Sequence, residues 1–264
     1  MRNRIFLAAA LLALGGCESV QIGGKTYEVG KYVQAGQNLS KAFYISPEEE
    51  RKIGREAAAS LAAKYGIYDD AALTRYVNLV GLALARKTQR KDVHWRFAVL
   101  NTSVVNAYSA PGGYVFITKG LLKLCQNEAD LAGVLAHEIQ HVDRNHVIDA
   151  VKKQFGAKGL GALTKENYKF AADIATGLVL NGYGKPLELE ADKHGVLLAS
   201  KVGYDPKGLP RALQAQHESS DAAKNASFTA RHPAFADRMK ALSSLDVPDT
   251  GATLKKRFLD HTAI

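Results

Sequence analysis

The residues with the clearest chemistry lie in one stretch, HEIQH at residues 137–141. On a helix, His137 and His141 are one turn apart on the same face, so both imidazoles can reach one metal ion. Glu138 is turned about 100° from His137 and can lie beside that ion without binding it. Two ligands and a neighbouring carboxylate that takes a proton from water are the arrangement of H-E-x-x-H metallopeptidases. The stretch therefore predicts a zinc clamp, although a charged turn of an ordinary helix fits the same five residues.

A zinc site of this kind needs a third protein ligand from elsewhere in the chain. His146 has the wrong spacing for the metzincin pattern, which would require histidine at position 147, so we interpret His146 as structural or solvent-facing. In the stretch PLELEADKHG, Glu188 and Glu190 point to nearly opposite sides of a helix, so only one of them can face the clamp. Glu190 is expected on the outer side, paired with Lys193 or His194.

Glu188 is the better candidate because it shares its helix face with two small residues, Ala191 and Gly195. Small residues on that face would allow close packing against the clamp helix. Asp192 lies on the same face, where it can accept a hydrogen bond from the back nitrogen of a ligand histidine. A solvated charged helix would explain the charges of this stretch but not the small residues on one side. We therefore predict Glu188 as the third ligand.

The elements that must position these residues are mainly helical. Ser46-Pro47-Glu48-Glu49 offers a cap, a first-turn proline and a capping-box glutamate, and the helix that follows is expected to end near Tyr65. Alternating apolar residues at 93–99 predict a strand, and Pro111-Gly112-Gly113 predicts a turn between two further strand-like runs. The pattern predicts an α+β fold, mainly helical, with a small antiparallel sheet.

Residues 1–16 have the layout of a secretory signal, with Arg2 and Arg4 before an apolar run that is too short to span a bilayer. The ending Leu-Gly-Gly-Cys resembles the lipobox of bacterial lipoproteins, in which Cys17 becomes the lipidated N-terminus. A plain signal peptide with a chance cysteine is the alternative. We predict a lipid-anchored tether and N-terminal arm over residues 17–45.

The full chain has a formal net charge of +9 and contains 47% hydrophobic residues, enough to build a packed core. On a lipid-anchored protein, positive charge is attracted to anionic phospholipid and adds to the effect of the anchor, and we expect attachment to the membrane by the lipid anchor only. The sequence contains no nucleic-acid recognition motif, so nucleic acid is not an expected partner. We assign residues 46–245 to a zinc metallopeptidase domain and residues 246–264 to a C-terminal tail.

The order of several motifs resembles the gluzincin family that includes HtpX and the CAAX prenyl proteases, in its periplasmic lipoprotein branch. The resemblance covers roughly residues 46–245, where H-E-x-x-H is followed by E-x-x-A-D. The other motifs that carry it are Asn106-Ala107-Tyr108 with Pro111-Gly112-Gly113, then Gly120-Leu121-Leu122, and His232-Pro233 with Arg238. One departure is Gly184-Lys185, which stands where the family often has Ser-Arg and leaves open how the loop before Glu188 is held.

The resemblance implies a zincin-like metallopeptidase fold in which the edge strand of the sheet flanks the HExxH helix. It implies that Glu138 is the general base and that one zinc ion per chain is bound by His137, His141 and Glu188. His232 would cover the metal in a resting state or steady the oxyanion, although a histidine that begins a helix before proline is the alternative. Arg238 would order the same loop. The edge strand, which would pair with an extended substrate, comprises Asn106, Ala107, Tyr108, Ser109 and Ala110.

These inferences predict a zinc-dependent endopeptidase of the bacterial cell envelope that cleaves extended or misfolded protein segments. Its expected partners are unfolded or misassembled envelope proteins and the outer-membrane assembly machinery. Its expected location is the periplasm, anchored to the inner face of the outer membrane. One alternative is a chaperone or assembly factor of the outer membrane with latent or secondary proteolysis, and another is a lipid-anchored binding protein with a structural zinc. Candidate donors to the transition state are Tyr108, Tyr183 and His232.

Overall fold

The computed structural model describes residues 19–22, 25–28, 44–157, 164, 168–219 and 235–263. Helices make up most of these residues, as predicted for a mainly helical α+β fold. The helices are α1 (Pro47–Tyr65), α2 (Ala71–Ala85), α3 (Lys119–Leu124), α4 (Glu128–Asp143), α5 (His146–Ala157), α6 (Tyr168–Asn181), α7 (Lys185–Val202), α8 (Gly208–Glu218), α9 (Phe235–Ser243) and α10 (Lys255–His261). The strands are β1 (Ser19–Ile22), β2 (Lys25–Glu28), β3 (Arg96–Leu100), β4 (Ala107–Ala110) and β5 (Tyr114–Thr118).

Helix α1 begins at the predicted capping box. The Ser46 hydroxyl accepts a hydrogen bond from the Glu49 amide at 3.3 Å, and the Glu49 carboxylate accepts one from the Ser46 amide at 2.8 Å. These two bonds satisfy backbone donors that the first helical turn leaves free. The apolar face of α1, with Ile53, Ala57 and Leu61, is buried against α6 and β4. Helices α1 and α6 therefore support the strand that borders the predicted site.

The three-stranded sheet is mixed, so the prediction of an antiparallel sheet was wrong for one of its two strand pairs. Strands β4 and β5 form the hairpin that Pro111-Gly112-Gly113 predicted, with Ala107 opposite Ile117 and Ala110 opposite Tyr114. Strand β3 instead runs parallel to β5, and the strand order is β3-β5-β4. Side chains alternate in the same way in parallel and antiparallel strands, so alternation could not reveal this direction. The order leaves β4 at the edge of the sheet.

Helix α4, which carries the HEIQH stretch, is the central helix of the fold. Every residue from Glu128 to Val142 is buried, because the sheet, α7 and α8 pack around it. Helices α4 and α8 approach closely at Gly133, where an added Cβ would lie 2.4 Å from the backbone nitrogen of Leu209. A helix that is enclosed on all sides has little freedom to move, so it is a rigid base for the predicted site residues.

The segment predicted as a C-terminal tail includes α10, which packs against the first turn of α4. The fully buried carboxylate of Glu128 accepts hydrogen bonds from the Tyr76 hydroxyl at 2.8 Å and the Tyr204 hydroxyl at 2.7 Å. It also binds the guanidinium of Arg257 on α10. A buried charge is stable only with such partners, so this cluster fastens α10 to the body of the protein.

The segment predicted as an N-terminal arm contains the antiparallel hairpin β1–β2, in which Ser19 lies opposite Glu28. Cys17, the predicted lipidation site, lies outside the described residues. Within the described part of the chain, no helix has both the length and the apolar composition that crossing a membrane requires.

Candidate metal centre

Helices α4 and α7 bring together the three residues that the sequence predicted as metal ligands. The Nε2 atoms of His137 and His141 are 3.2 Å apart. The Glu188 carboxylate oxygens lie 3.6 Å from Nε2 of His137 and 3.8 Å from Nε2 of His141. All three side chains are buried, and one donor atom from each lies within 4.8 Å of the others. Two imidazole nitrogens and a carboxylate oxygen at this spacing fit the three-ligand set of a zinc peptidase.

The small residues on α7 explain why this helix can lie so close to α4. A Cβ added at Gly195 would lie 2.9 Å from the backbone nitrogen of His137, closer than ordinary packing permits. Ala191, one turn earlier on the same face, is fully buried. This agrees with the expectation that Ala191 and Gly195 face the clamp helix, and it places Glu188 on that face as well.

Asp192 lies behind His137, as predicted. Its Oδ1 atom is 2.9 Å from Nδ1 of His137, so Nε2 of that ring is directed towards Glu188. Burial by itself would raise the pKa of Asp192, but the attraction and hydrogen bonds of Arg238, together with His137, hold the pKa well below its usual value. Arg238 is itself buried and binds both oxygens of Asp192, with Nε 2.7 Å from Oδ2. The contacts from Arg238 through Asp192 to His137 fix the orientation of a predicted ligand.

His146 is buried and lies behind His141, the second predicted ligand. Its Nδ1 atom is 2.9 Å from Nδ1 of His141, which directs Nε2 of His141 towards His137 and Glu188. Asn145, between α4 and α5, has a φ of 60°, and this left-handed residue turns the chain so that His146 faces back towards α4. Burial lowers the pKa of His141 well below 6.5 and also lowers that of His146. A neutral imidazole is the form that binds a metal ion. The pKa of His137 moves the other way: burial by itself would lower it, but the hydrogen bonds of Asp192 and Glu188, together with the charge of Asp192, raise it to about 10.

The hydrogen-bond partner of Glu190 is Arg144 rather than Lys193 or His194, although the charge of His194 also helps to lower the pKa of Glu190. Its carboxylate accepts a hydrogen bond from Nε of Arg144 at 2.6 Å and lies 3.6 Å from Nε2 of His146. Arg144 stands directly after α4 and reaches Glu190 across the interface between two helices. Spacing along α7 alone could not reveal this partner, because the contact depends on how α4 and α7 are packed.

Glu138, the predicted general base, is buried beside the edge strand. Its Oε2 atom accepts a hydrogen bond from the Ser109 hydroxyl at 2.7 Å. Ser109 is fully buried in the middle of β4, and the side chain of Glu138 is 8% exposed. The edge strand therefore contacts the predicted base directly, a contact that the sequence did not indicate.

Of the three candidate transition-state donors, Tyr108, Tyr183 and His232, the described structure places the hydroxyl of Tyr183 at the site. The hydroxyl donates to the carbonyl oxygen of Ser109 at 2.8 Å, and the ring centroid lies 4.1 Å from that of His141. Burial raises the pKa of Tyr183 well above 10, and the charge of Glu138 adds to this effect. The hydroxyl of Tyr108 instead donates to that of Tyr65, and His232 lies outside the described residues.

The space beside the predicted ligands is small. A cavity of about 30 Å³ lies between β4, α4 and the end of α6, and Gly182 and Tyr183 also line it. This volume holds a water molecule but not a peptide segment.

Residues 71–246 match the sequence profile described as "Peptidase family M48". The chain belongs to peptidase family M48. The matched region includes α4 and α7, and M48 peptidases depend on a metal ion, for which the cluster of two histidines and a glutamate offers suitable donors.

Several curated proteins are similar to this M48 chain. The beta-barrel assembly-enhancing protease of Escherichia coli (strain K12) is 28% identical over 184 residues, which cover 64% of this chain and 38% of the relative. The mitochondrial metalloendopeptidase OMA1 of Schizosaccharomyces pombe is 26% identical over 210 residues, 75% of this chain and 61% of the relative. The metalloprotease YcaL of E. coli is 24% identical over 258 residues, 90% of this chain and 95% of the relative. The chain thus spans less than two thirds of the first two relatives.

The loop before Glu188 in this M48 chain is held by residues that differ from the Ser-Arg of the family pattern. Lys185 forms an ion pair with Asp237 of α9 at 2.6 Å, and the Tyr183 amide donates to the Glu188 carboxylate at 3.4 Å. These contacts answer the question that Gly184-Lys185 raised. The predicted role of Arg238 in ordering the loop of His232 stays a prediction, because residues 220–234 lie outside the described part of the chain.

Proposed function

We propose that this protein is a zinc-dependent endopeptidase in which His137, His141 and Glu188 hold the metal and Glu138 is the general base. The observation that carries the proposal is the convergence of three buried donor residues, His137, His141 and Glu188, on one point. The carboxylate of Glu138 lies beside them and is left to act as the base. A set of two imidazoles and one carboxylate with an open position is typical of catalytic zinc. The contacts of Asp192 and His146 with the back nitrogens of the two histidines support the same assignment.

A zinc ion bound here would supply Lewis acidity and would lower the pKa of a water molecule towards 7. The protein's own contribution is proton transfer at the Glu138 carboxylate, which takes the proton of the attacking water and passes it to the leaving amine. Burial of Glu138 keeps bulk water from competing for that proton. Since the ligands are held by α4 and α7, the distance from carboxylate to reacting carbonyl is set by rigid elements.

The edge strand β4 suits substrates that present an extended backbone. The Asn106 carbonyl accepts a hydrogen bond from the Thr118 amide of β5, so by alternation Ala107 and Ser109 turn their backbone groups away from β5. A peptide that added a strand to this free edge would pair with Ala107 and Ser109. The Tyr183 hydroxyl already donates a hydrogen bond to the carbonyl oxygen of Ser109. A peptide can therefore pair with Ser109 only after Tyr183 has moved.

The biological setting is proposed from the sequence and from the names of the relatives. The secretory signal and lipobox favour a lipid anchor at Cys17 and a location in the periplasm, on the inner face of the outer membrane. One relative is named for enhancing beta-barrel assembly, which favours unfolded or misassembled envelope proteins as substrates. The same name favours the second candidate function, an assembly factor that acts together with the outer-membrane assembly machinery and cleaves only secondarily.

The proposal is tested by measuring the zinc content of the purified protein and its cleavage of casein, in the parent and in Glu138→Gln. We expect one zinc per chain in both proteins and cleavage only in the parent, because glutamine cannot take a proton. Glu56→Gln, an exposed glutamate on α1, is the matched control and should cleave normally. Cleavage by Glu138→Gln at the parent rate would contradict the role of Glu138. Zinc without cleavage in the parent, and also in His232→Ala, would favour the assembly factor.

A further inference from the structure

Ser109 is an unusual residue to find at the centre of β4. Its exposed fraction is 0%, and Ala107 and Ala110 of the same strand are also buried. Packing alone would be satisfied by a third alanine, whereas a buried hydroxyl costs free energy unless it forms a hydrogen bond. The partner of this hydroxyl is the Glu138 carboxylate at 2.7 Å.

The geometry of the strand gives Ser109 two contacts in different directions. Its side chain lies on the face of β4 that packs against α4, and there it reaches Glu138. Its backbone carbonyl points to the free edge of the sheet, where Tyr183 now binds it. The residue that would pair with a substrate backbone is therefore the same residue that holds the carboxylate of the predicted base.

We propose that Ser109 is a positioning residue of the reaction, whose hydroxyl fixes the Glu138 carboxylate relative to the substrate on the edge strand. The inference rests on the proposed function of Glu138. Glu138 is attached to α4 by a flexible side chain, and the hydrogen bond from β4 restricts its rotation. A peptide paired with the backbone of Ser109 is thereby kept in register with the base, which is the kind of preorganisation that raises kcat rather than affinity.

The alternative is that Ser109 only fastens β4 to α4. The two roles predict different behaviour, because a lost fastening lowers stability and disturbs substrate binding, whereas a misplaced base lowers kcat with KM unchanged. Tyr65→Phe provides a matched control. It removes the hydrogen bond between Tyr65 and Tyr108 on the opposite face of the same strand, and Tyr65 takes no part in the proposed site.

The test compares kcat, KM, zinc content and Tm for casein-derived peptide cleavage in the parent, Ser109→Ala, Ser109→Thr and Tyr65→Phe. We expect Ser109→Ala to lower kcat about 10- to 100-fold, the effect of losing a hydrogen bond to a charged group, with KM and zinc content within twofold of the parent. Ser109→Thr restores the hydroxyl and should recover most of kcat. Tyr65→Phe should leave kcat unchanged.

Three results would overturn the proposal. These are an unchanged kcat in Ser109→Ala, an equal loss of kcat in Tyr65→Phe, and a loss of kcat that follows a loss of zinc. The double variant Ser109→Ala with Glu138→Gln separates this failure from failure of the proposed function. If Glu138 is the base, the double variant is no slower than Glu138→Gln alone, because Ser109 acts only through the carboxylate that Glu138→Gln has already removed. If Glu138→Gln itself cleaves normally, the proposed function fails first.

Discussion

Replacement of Tyr183 by phenylalanine should raise the activity of this protein. The Tyr183 hydroxyl donates to the carbonyl of Ser109, a backbone acceptor on the free edge that an incoming peptide would use. On either side of it, Gly182 and Gly184 have φ values of 83° and 90°, a region that favours glycine. Tyr183 thus stands on a short segment between α6 and α7 whose backbone suits a change of conformation. Its hydroxyl is one of the contacts that hold the segment closed, beside the Tyr183 amide on Glu188 and the Lys185–Asp237 ion pair.

The size of the effect follows from the bond that is lost. A neutral hydrogen bond contributes about 0.5–1.5 kcal/mol net, which corresponds to a change of about 2- to 12-fold in the ratio of open to closed forms. Phenylalanine keeps the aromatic ring, whose centroid lies 4.1 Å from that of His141, so this proposed ligand keeps its packing neighbour. When most molecules are closed, kcat/KM rises by the same factor as the open fraction.

The assay is the initial rate of casein cleavage at substrate concentrations well below KM, with the zinc content of each protein measured in parallel. Tyr65→Phe is again the control, since it removes a tyrosine hydroxyl near β4 but outside the closing segment. A fall of 100-fold or more in Tyr183→Phe would refute the reasoning and would place the hydroxyl among the transition-state donors. An unchanged rate would show that the contact with Ser109 does not limit entry.

Three further predictions concern the supports of the site. Arg238→Lys keeps the charge but loses the paired contact with Asp192, so zinc affinity should fall about 10- to 100-fold in a chelator competition, and an unchanged affinity would contradict this support. Gly195→Ala forces α7 away from α4 and should lower both Tm and zinc affinity, whereas Gly177→Ala, with no atom within 4 Å of its new Cβ, should lower neither. Burial raises the pKa of Glu128, but the hydrogen bonds that its carboxylate accepts lower the pKa by more, so the net pKa is below 4.5. The ionised carboxylate therefore stabilises the fold above that pH. Glu128→Gln should therefore lower Tm at pH 7, and the difference in Tm from the parent should shrink as the pH falls below 4.5; a difference independent of pH would contradict this.

The sequence determined the parts of this protein that depend on local spacing. Two histidines four residues apart lie on one face of any α-helix, so the relation between His137 and His141 follows from helix geometry alone. The shared face of Glu188 and Asp192 follows in the same way, as does the start of α1 at its capping box. Small residues at 191 and 195 indicated which face of α7 would lie against another helix.

Only the tertiary structure decided which residues from separate elements meet at the site. The contact of Ser109 on a strand with Glu138 on a helix joins residues 29 apart in the sequence, and that of Arg238 with Asp192 joins residues 46 apart. The position of His146 depends on one left-handed residue, and the direction of β3 depends on the path of the chain between strands. Periodicity describes each element relative to its own axis. The packing of elements against each other is set by the whole core, and no local pattern contains that information.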